Sequence, residues 1–150
     1  MLRWAMTGPR PPLAPSAILE TGLYAGDLAA AERFYGTVLG LEIVQKVEGR
    51  HVFFRVGAAM LLVFNPDASE IPSRNSRLPV PPHGARGPGH MCFSMPRSEI
   101  ENMRNHLINN GFEIEAEFDW PNGAHSLYTR DPAGNSVEFA EPWLWNADGA

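Results

Sequence analysis

The clearest pattern in the chain is an alternation of apolar and polar side chains that begins at His90. His90, Cys92 and Ser94 have one parity, whereas Met91 and Phe93 have the other, as the two-residue period of a strand requires. This strand would have one apolar face for packing and one face with small polar groups and an imidazole. The polar face predicts either a solvent-exposed surface or the lining of a cavity.

Similar periodicities predict strands and helices along most of the chain. Asp27 is the predicted N-cap of a helix that ends at Gly40, and Ser98 is the predicted N-cap of a second helix over 99–109. The stripe of the second helix that we expect to be buried consists of Ile100, Met103, Leu107 and Ile108. The other predicted strands span residues 18–25, 41–47, 51–56, 59–64, 112–118, 126–130 and 136–140.

Proline and glycine divide the chain into an arm, two halves and a tail. The stretch between the halves has no hydrophobic periodicity, and a loop of this length is usually a linker, a functional lid or a disordered segment. The predicted organisation is a proline-rich arm (1–17), a single domain (18–142) built from module one (18–64), a linker (65–88) and module two (89–142), and a tail (143–150).

The two halves are similar to each other. The run that starts at Gly40 (Gly-Leu-Glu-Ile) recurs from Gly111 as Gly-Phe-Glu-Ile. At nearly the same offset, His90 corresponds to Glu20, while the counterpart of Glu138 is close to Leu62. We therefore expect an α+β fold of two tandem βαβββ modules, which form a curved, mostly antiparallel sheet around a cleft.

Composition excludes several classes of function. The net charge of −5 and the lack of a basic stripe argue against nucleic-acid binding. No apolar run approaches the roughly 20 residues of a membrane span, and we expect no membrane partner. The single cysteine excludes an internal disulfide framework, and a cytoplasmic location is the corresponding expectation.

Three side chains are candidate metal ligands: Glu20, His90 and Glu138. One imidazole with two carboxylates suits divalent Fe, Mn, Ni, Co or Zn and does not distinguish among them. Glu138 is flanked by apolar residues on its strand, where an unpaired carboxylate is costly to bury. The alternative is an edge histidine with two solvated or ion-paired glutamates.

The two halves resemble the paired βαβββ modules of the vicinal oxygen chelate superfamily, which includes glyoxalase I, extradiol dioxygenases, and the bleomycin- and fosfomycin-resistance proteins. The matching pieces cover nearly all of residues 18–142. They are Leu23-Tyr24-Ala25-Gly26-Asp27-Leu28, Phe34-Tyr35, Val38-Leu39-Gly40-Leu41, Gly89-His90-Met91-Cys92-Phe93 and Asp131-Pro132-Ala133-Gly134-Asn135-Ser136-Val137-Glu138.

The resemblance implies metal ligands from the first and fourth strands of each module, namely Glu20, His90 and Glu138. It also implies a metal-dependent lyase, isomerase or dioxygenase whose small substrate offers vicinal oxygens. By analogy Glu20 or Glu138 would act in catalysis as a proton shuttle. Leu62 occupies the position where glyoxalase I has a catalytic glutamate, and Glu20 the position where extradiol dioxygenases have a histidine, so the chain resembles a subgroup of unassigned substrate.

Five further residues are candidates for substrate contact. Arg55 could pair with a substrate carboxylate or phosphate, although an exposed ion pair is the alternative. Tyr24 and Tyr128 could line the cleft, Trp120 could edge it, and Leu62 faces it if the repeat is correct. The alternative for the aromatic candidates is packing in the hydrophobic core or at the rim of the cleft, where such side chains are also common.

A metal-free binding or resistance protein for an aromatic or cationic antibiotic-like molecule is the alternative function. Leu62 in place of a ligand and the supply of aromatic side chains support it, and the negative net charge favours a cation. Under either function we expect a homodimer, because each module has sheet edges to satisfy.

Overall fold

A computed structural model of the chain describes residue 8 and residues 13–146. Most of the predicted arm and the end of the predicted tail lie outside the described residues. Within the described residues, no helix combines the length and the apolar character needed to cross a membrane.

Each half of the chain folds as strand, helix and three further strands, as predicted. Module one consists of β1 (Glu20–Tyr24), α1 (Leu28–Glu32) with a π-helical continuation (Arg33–Val38), β2 (Glu42–Val47), β3 (His51–Val56) and β4 (Ala59–Phe64). The linker contains a short helix, α2 (Pro66–Ser69). Module two consists of β5 (His90–Ser94), α3 (Arg97–Asn109), β6 (Ala116–Asp119), β7 (His125–Arg130) and β8 (Ser136–Ala140).

The strands form two four-stranded sheets with the same topology. Their orders are β1-β4-β3-β2 and β5-β8-β7-β6, and in each the first and last strands of a module pair in parallel. Gly22 pairs with Leu62 in one sheet as Cys92 pairs with Glu138 in the other. The register therefore confirms that Leu62 is the counterpart of Glu138.

The helices and the inner faces of both sheets share one hydrophobic core. Phe34 lies edge-on to Phe112 with 4.9 Å between ring centroids, and Tyr35 contacts both Phe54 and Phe93. Because these aromatic residues come from both modules, the modules pack against each other through the faces opposite His90 and Glu20.

Three local predictions were wrong. Pro96 has an extended backbone conformation and precedes the first residue of α3, so the helix begins at Arg97 and Ser98 is not its cap. Ile108 is 53% exposed, because it lies about 100° around the helix from the buried Leu107. Strand β6 begins at Ala116 rather than at 112, although Asp27 does cap α1 by accepting a hydrogen bond from the Ala30 amide.

A buried polar joint connects the two modules beside His90. Asn135 is 1% exposed and accepts a hydrogen bond from the Gly89 amide (2.8 Å). Its side-chain amide donates to Asp131 Oδ2 (2.9 Å) and to the Tyr24 carbonyl (3.2 Å). The Tyr35 hydroxyl donates to the same Asp131 oxygen (2.7 Å). These bonds fix the start of β5, and with it the backbone of His90, against module one.

We expect Asn135→Ala to lower the free energy of unfolding by about 2–3 kcal/mol, since it leaves the Gly89 amide without its acceptor and removes one donor from the buried Asp131 carboxylate. Urea denaturation followed by circular dichroism measures this change. Asn105→Ala on the exposed face of α3 is the matched control and should change stability by less than about 0.5 kcal/mol. Equal effects of the two substitutions would contradict the role of Asn135.

Candidate metal site and ligand recess

His90 and Glu138 lie side by side on the polar face of the module-two sheet. His90 Nε2 is 3.3 Å from Glu138 Oε1. The other ring nitrogen, Nδ1, is 3.1 Å from the Ser136 carbonyl oxygen. A carbonyl oxygen only accepts hydrogen bonds, so its partner must be an N–H donor. Nδ1 therefore carries a proton, and Nε2 is the ring nitrogen that lies beside the carboxylate oxygen.

Glu138 is 5% exposed and is positioned from its other side. The Ser126 hydroxyl donates to Glu138 Oε2 (2.7 Å), and the indole N–H of Trp120 donates to the Ser126 oxygen (2.8 Å). Trp120 was predicted to edge the site, and it acts on Glu138 through Ser126. Ser126 was not predicted, because its role depends on side-chain geometry between strands.

Tyr128 and Cys92 flank Glu138 on the neighbouring strands. Burial, reinforced by the Glu138 carboxylate, raises the pKa of Tyr128 to about 12 and the pKa of the Cys92 thiol to about 12. Tyr128 also stacks on the His90 ring, with 6.3 Å between centroids. At neutral pH both groups are therefore uncharged, and the thiol is not activated as a nucleophile.

The donor atoms of this pair fit a divalent metal ion. In the neutral imidazole with a proton on Nδ1, Nε2 has the lone pair that a metal ion requires, and Glu138 Oε1 lies 3.3 Å from it. Both atoms are ligand types of divalent Fe, Mn, Ni, Co and Zn, and both side chains are held by hydrogen bonds through their other polar atom.

The third predicted ligand, Glu20, lies elsewhere within the chain. It is exposed on the module-one sheet, and it lines a recess to which module two contributes no residue. Among the described residues, no group of three histidine, cysteine, aspartate or glutamate side chains could hold a metal ion. A single chain thus brings together two of the three candidates.

The recess on module one has a volume of about 1120 Å³, and its wall is rich in aromatic rings. His51 stacks on Phe53 with 3.9 Å between centroids, and Phe64 lies edge-on to Phe53. Tyr24 and Leu62, both predicted to contact substrate, also line it. Arg55 does not, and it forms an exposed ion pair with Glu42 (3.9 Å), the alternative considered for it from the sequence.

The linker forms the outer wall of the recess. His83 accepts or donates a hydrogen bond with the Tyr24 hydroxyl (2.7 Å) and lies edge-on to Phe64. Ser69 and His83 exchange two further bonds, from the His83 amide to the Ser69 carbonyl and from the Ser69 hydroxyl to the His83 carbonyl. Arg86 contacts Glu70 (2.8 Å) at the base of the same segment. The bond between Tyr24 and His83 therefore joins the linker to the sheet, and the other bonds hold parts of the linker to each other.

An ionic cluster lies at the edge of module two. His125 contacts Asp119 (2.7 Å) and Glu117 (3.1 Å), and Arg97 and Arg104 contact the same two carboxylates. Burial lowers the pKa of His125, but hydrogen bonds to Asp119 and Glu117 outweigh it, so the pKa is raised above 6.5.

This shift predicts a pH dependence of stability. Because the folded pKa of His125 is raised, its contribution is fully present below the ordinary value of 6.5 and is lost as the pH rises through the folded pKa. We expect a loss of a few tenths to about 1 kcal/mol, since the cluster is partly solvated. Urea denaturation across this pH range should show the decline in the wild type and a smaller decline in His125→Gln. An equal decline in both proteins would contradict the assignment.

Comparisons with solved structures agree with this architecture. A lactoylglutathione lyase from Agrobacterium tumefaciens is 48% identical, with a TM-score of 0.83 over 88% of this chain and 98% of that chain. An integron cassette protein from a Halifax Harbour sewage-outfall metagenome (22% identity, TM-score 0.66, 85% and 99% of the two chains) and a glyoxalase family protein from Enterococcus faecalis (23%, 0.62, 84% and 98%) share the fold.

No curated protein matches the chain. A family model does match it, over residues 17–139, which includes nearly all of both modules and every candidate metal ligand. The match covers most of the chain, and the duplicated βαβββ topology agrees with it. The chain belongs to the Glyoxalase/Bleomycin resistance protein/Dioxygenase superfamily.

Proposed function

We propose that the protein is a divalent-metal-dependent enzyme of the glyoxalase type, acting on a small substrate with vicinal oxygens. The observation that carries this proposal is that His90 Nε2 lies 3.3 Å from Glu138 Oε1, while a hydrogen bond holds the other polar atom of each side chain. Family membership and the similarity to a lactoylglutathione lyase support it. We also infer a cytoplasmic location from the single cysteine.

In this proposal His90 and Glu138 hold the metal, together with Glu20. A divalent metal supplies Lewis acidity toward substrate oxygens. The Ser136 carbonyl fixes the tautomer of His90, and the Ser126 hydroxyl fixes the orientation of Glu138. Glu20, the more exposed carboxylate, is the candidate for moving a proton to or from the substrate.

We infer that the site is completed in a homodimer. Within one chain Glu20 faces a recess formed by module one and the linker, while His90 and Glu138 lie on the other sheet. Ile18 and Leu19, which precede Glu20, are exposed, as expected of residues that a second copy covers. In a two-fold symmetric dimer, module one of each chain would face module two of the other.

An activity assay tests the proposal. Metal-free protein is loaded in parallel with Mn²⁺, Fe²⁺, Co²⁺, Ni²⁺ or Zn²⁺, and formation of S-lactoylglutathione is the first reaction to measure, given the 48% identical lyase. We expect turnover with at least one metal and none with EDTA. Activity that is unchanged by EDTA would contradict metal dependence, whereas metal-dependent turnover of another vicinal dioxygen substrate would retain the enzyme class and change the substrate.

Leu62 favours a second function. Its position in the register corresponds to that of the candidate ligand Glu138, yet its side chain is apolar and lines an aromatic recess. A metal-free binding protein for an aromatic or cationic antibiotic-like molecule would have this character. Thermal-shift screening with and without EDTA separates the two functions, because stabilisation that EDTA leaves unchanged would support the binding protein.

A further inference from the structure

We propose that the recess on module one binds a flat aromatic carboxylate, with the ring between the sheet and the linker and the carboxylate on Arg50. The inference deepens the proposed function, because the candidate metal ligand Glu20 lines the same recess. That the bound ligand is a substrate rests on the proposed function. Binding itself requires only module one and the linker.

The shape of the recess favours a flat ring. Two aromatic rings, those of His51 and Phe53, are nearly parallel, at 11° and 3.9 Å between centroids. Phe64 and His83 stand nearly perpendicular to each other at 4.5 Å and belong to the sheet and the linker respectively. Aromatic side chains arranged as floor and wall bind planar ligands by stacked and edge-to-face contacts.

The floor of the recess has space for such a ring. Gly22 and Leu62 pair at the positions where module two has Cys92 and Glu138. A Cβ atom at Gly22 would lie 3.8 Å from its nearest neighbours, the Leu62 carbonyl and the Phe64 ring, so the glycine is not required by close packing. Module one thus has an apolar floor where module two has its carboxylate.

The charge of the lining favours an anion. Arg50 and Arg74 line the recess and form no ion pair with a described residue, whereas Glu20 is the only acidic side chain in the described lining. The protein as a whole is negative, at −5, so the recess has the opposite local balance. An arginine pairs well with a carboxylate, and partial burial strengthens the pair.

One buried nitrogen supports a ligand at this place. His51, another lining residue, is 7% exposed, and its Nδ1 has no hydrogen-bond partner among the described residues, while Nε2 pairs with Gln45 (2.9 Å). Burial, with Arg50 nearby, lowers the pKa of His51, so the ring is neutral and suited to stacking. Buried polar atoms without partners are rare in folded proteins, and a bound water or ligand is one way in which they are satisfied.

Titration calorimetry of the full chain in EDTA, with naphthoate, neutral naphthamide and cationic naphthylmethylammonium, tests the inference. We expect naphthoate to bind roughly tenfold more tightly than naphthamide, as a charge-assisted contact implies, and the cation to bind least. Equal affinities for the three probes, or no binding of naphthoate at millimolar concentration, would overturn the inference.

Variants locate the site. Arg50→Gln should weaken naphthoate roughly tenfold and leave naphthamide unchanged, since it removes the charge alone. Gly22→Val should weaken the binding of both naphthoate and naphthamide, because the valine side chain occupies the floor of the recess. Valine is favoured in strands, so the strand itself should be retained. Arg33→Gln and Gly26→Ala, two matched changes outside the recess, should have no effect.

If Arg50→Gln and Gly22→Val bind as the wild type does, the recess is not the site. Because EDTA is present throughout, a failure here leaves the metal-dependent function intact, and a failure to bind metal leaves this result intact.

Discussion

His90→Ala is expected to abolish metal binding and to lower metal-dependent activity at least about 100-fold. The substitution removes the one nitrogen donor of the site and leaves Glu138 without its neighbour at 3.3 Å. Loss of one of three ligands removes a large share of the binding free energy, since the remaining carboxylates must hold the ion alone. Metal content after dialysis, together with turnover after saturation with metal, measures both effects.

Two further variants test whether the loss of metal is specific to the ligand His90. Ser126→Ala retains every ligand but removes the hydrogen bond to Glu138 Oε2, so metal affinity should fall about 10- to 100-fold, within the range found for such supporting groups. His106→Ala, at an exposed histidine on α3, should bind metal as the wild type does. If His90→Ala retained full metal content, His90 would not be a ligand, and the site would have to be sought elsewhere.

Mixing two inactive variants is expected to restore activity. If Glu20 of one chain faces His90 and Glu138 of another, a dimer of Glu20→Ala with His90→Ala contains one intact site and one doubly damaged site. Random exchange of subunits should therefore restore about a quarter of wild-type activity, because half of the dimers are mixed and each has one of two sites intact. Co-expression of the two variants, followed by an activity assay per mole of chain, measures the recovery.

The control is a pair of variants that damage the same module. His90→Ala mixed with Glu138→Ala leaves module two defective in every chain, so neither site of a mixed dimer is intact and no activity should return. Recovery in this control, or no recovery in the Glu20 and His90 mixture, would contradict a cleft shared between chains. If the Glu20 and His90 mixture shows no recovery, Glu20 does not share a site with His90 and Glu138 of another chain.

Hydrophobic periodicity predicted the strands well, and β4 shows the expected alternation of more buried and less buried side chains. Strands β3, β4 and β8 have the predicted bounds. The segment before β6 was assigned wrongly because Phe112 and Ile114 do pack on the core, yet backbone pairing with β7 begins only where the Glu115 amide donates to the Tyr128 carbonyl. Alternation reports burial, and it does not report which backbone groups are paired.

The candidate site was predictable in part. The approach of His90 and Glu138 follows from the repeat and the resemblance, since both lie on paired strands of one sheet. Support of Glu138 by Ser126 and Trp120 could not be predicted, because it depends on rotamers across strands. The recess was predictable in part, since Tyr24 and Leu62 were candidates for substrate contact, but the bond between Tyr24 and His83 that holds the linker beside the sheet could not be predicted.

The stoichiometry of bound metal tests the central claim most directly. Protein purified without chelator, soaked with each of Mn²⁺, Fe²⁺, Co²⁺, Ni²⁺ and Zn²⁺ and dialysed, should contain about one ion per chain for at least one metal, as a site shared symmetrically by two chains requires. The same protein with His90→Ala should contain none. Absence of stoichiometric metal in the wild type after every soak would contradict the metal-dependent function.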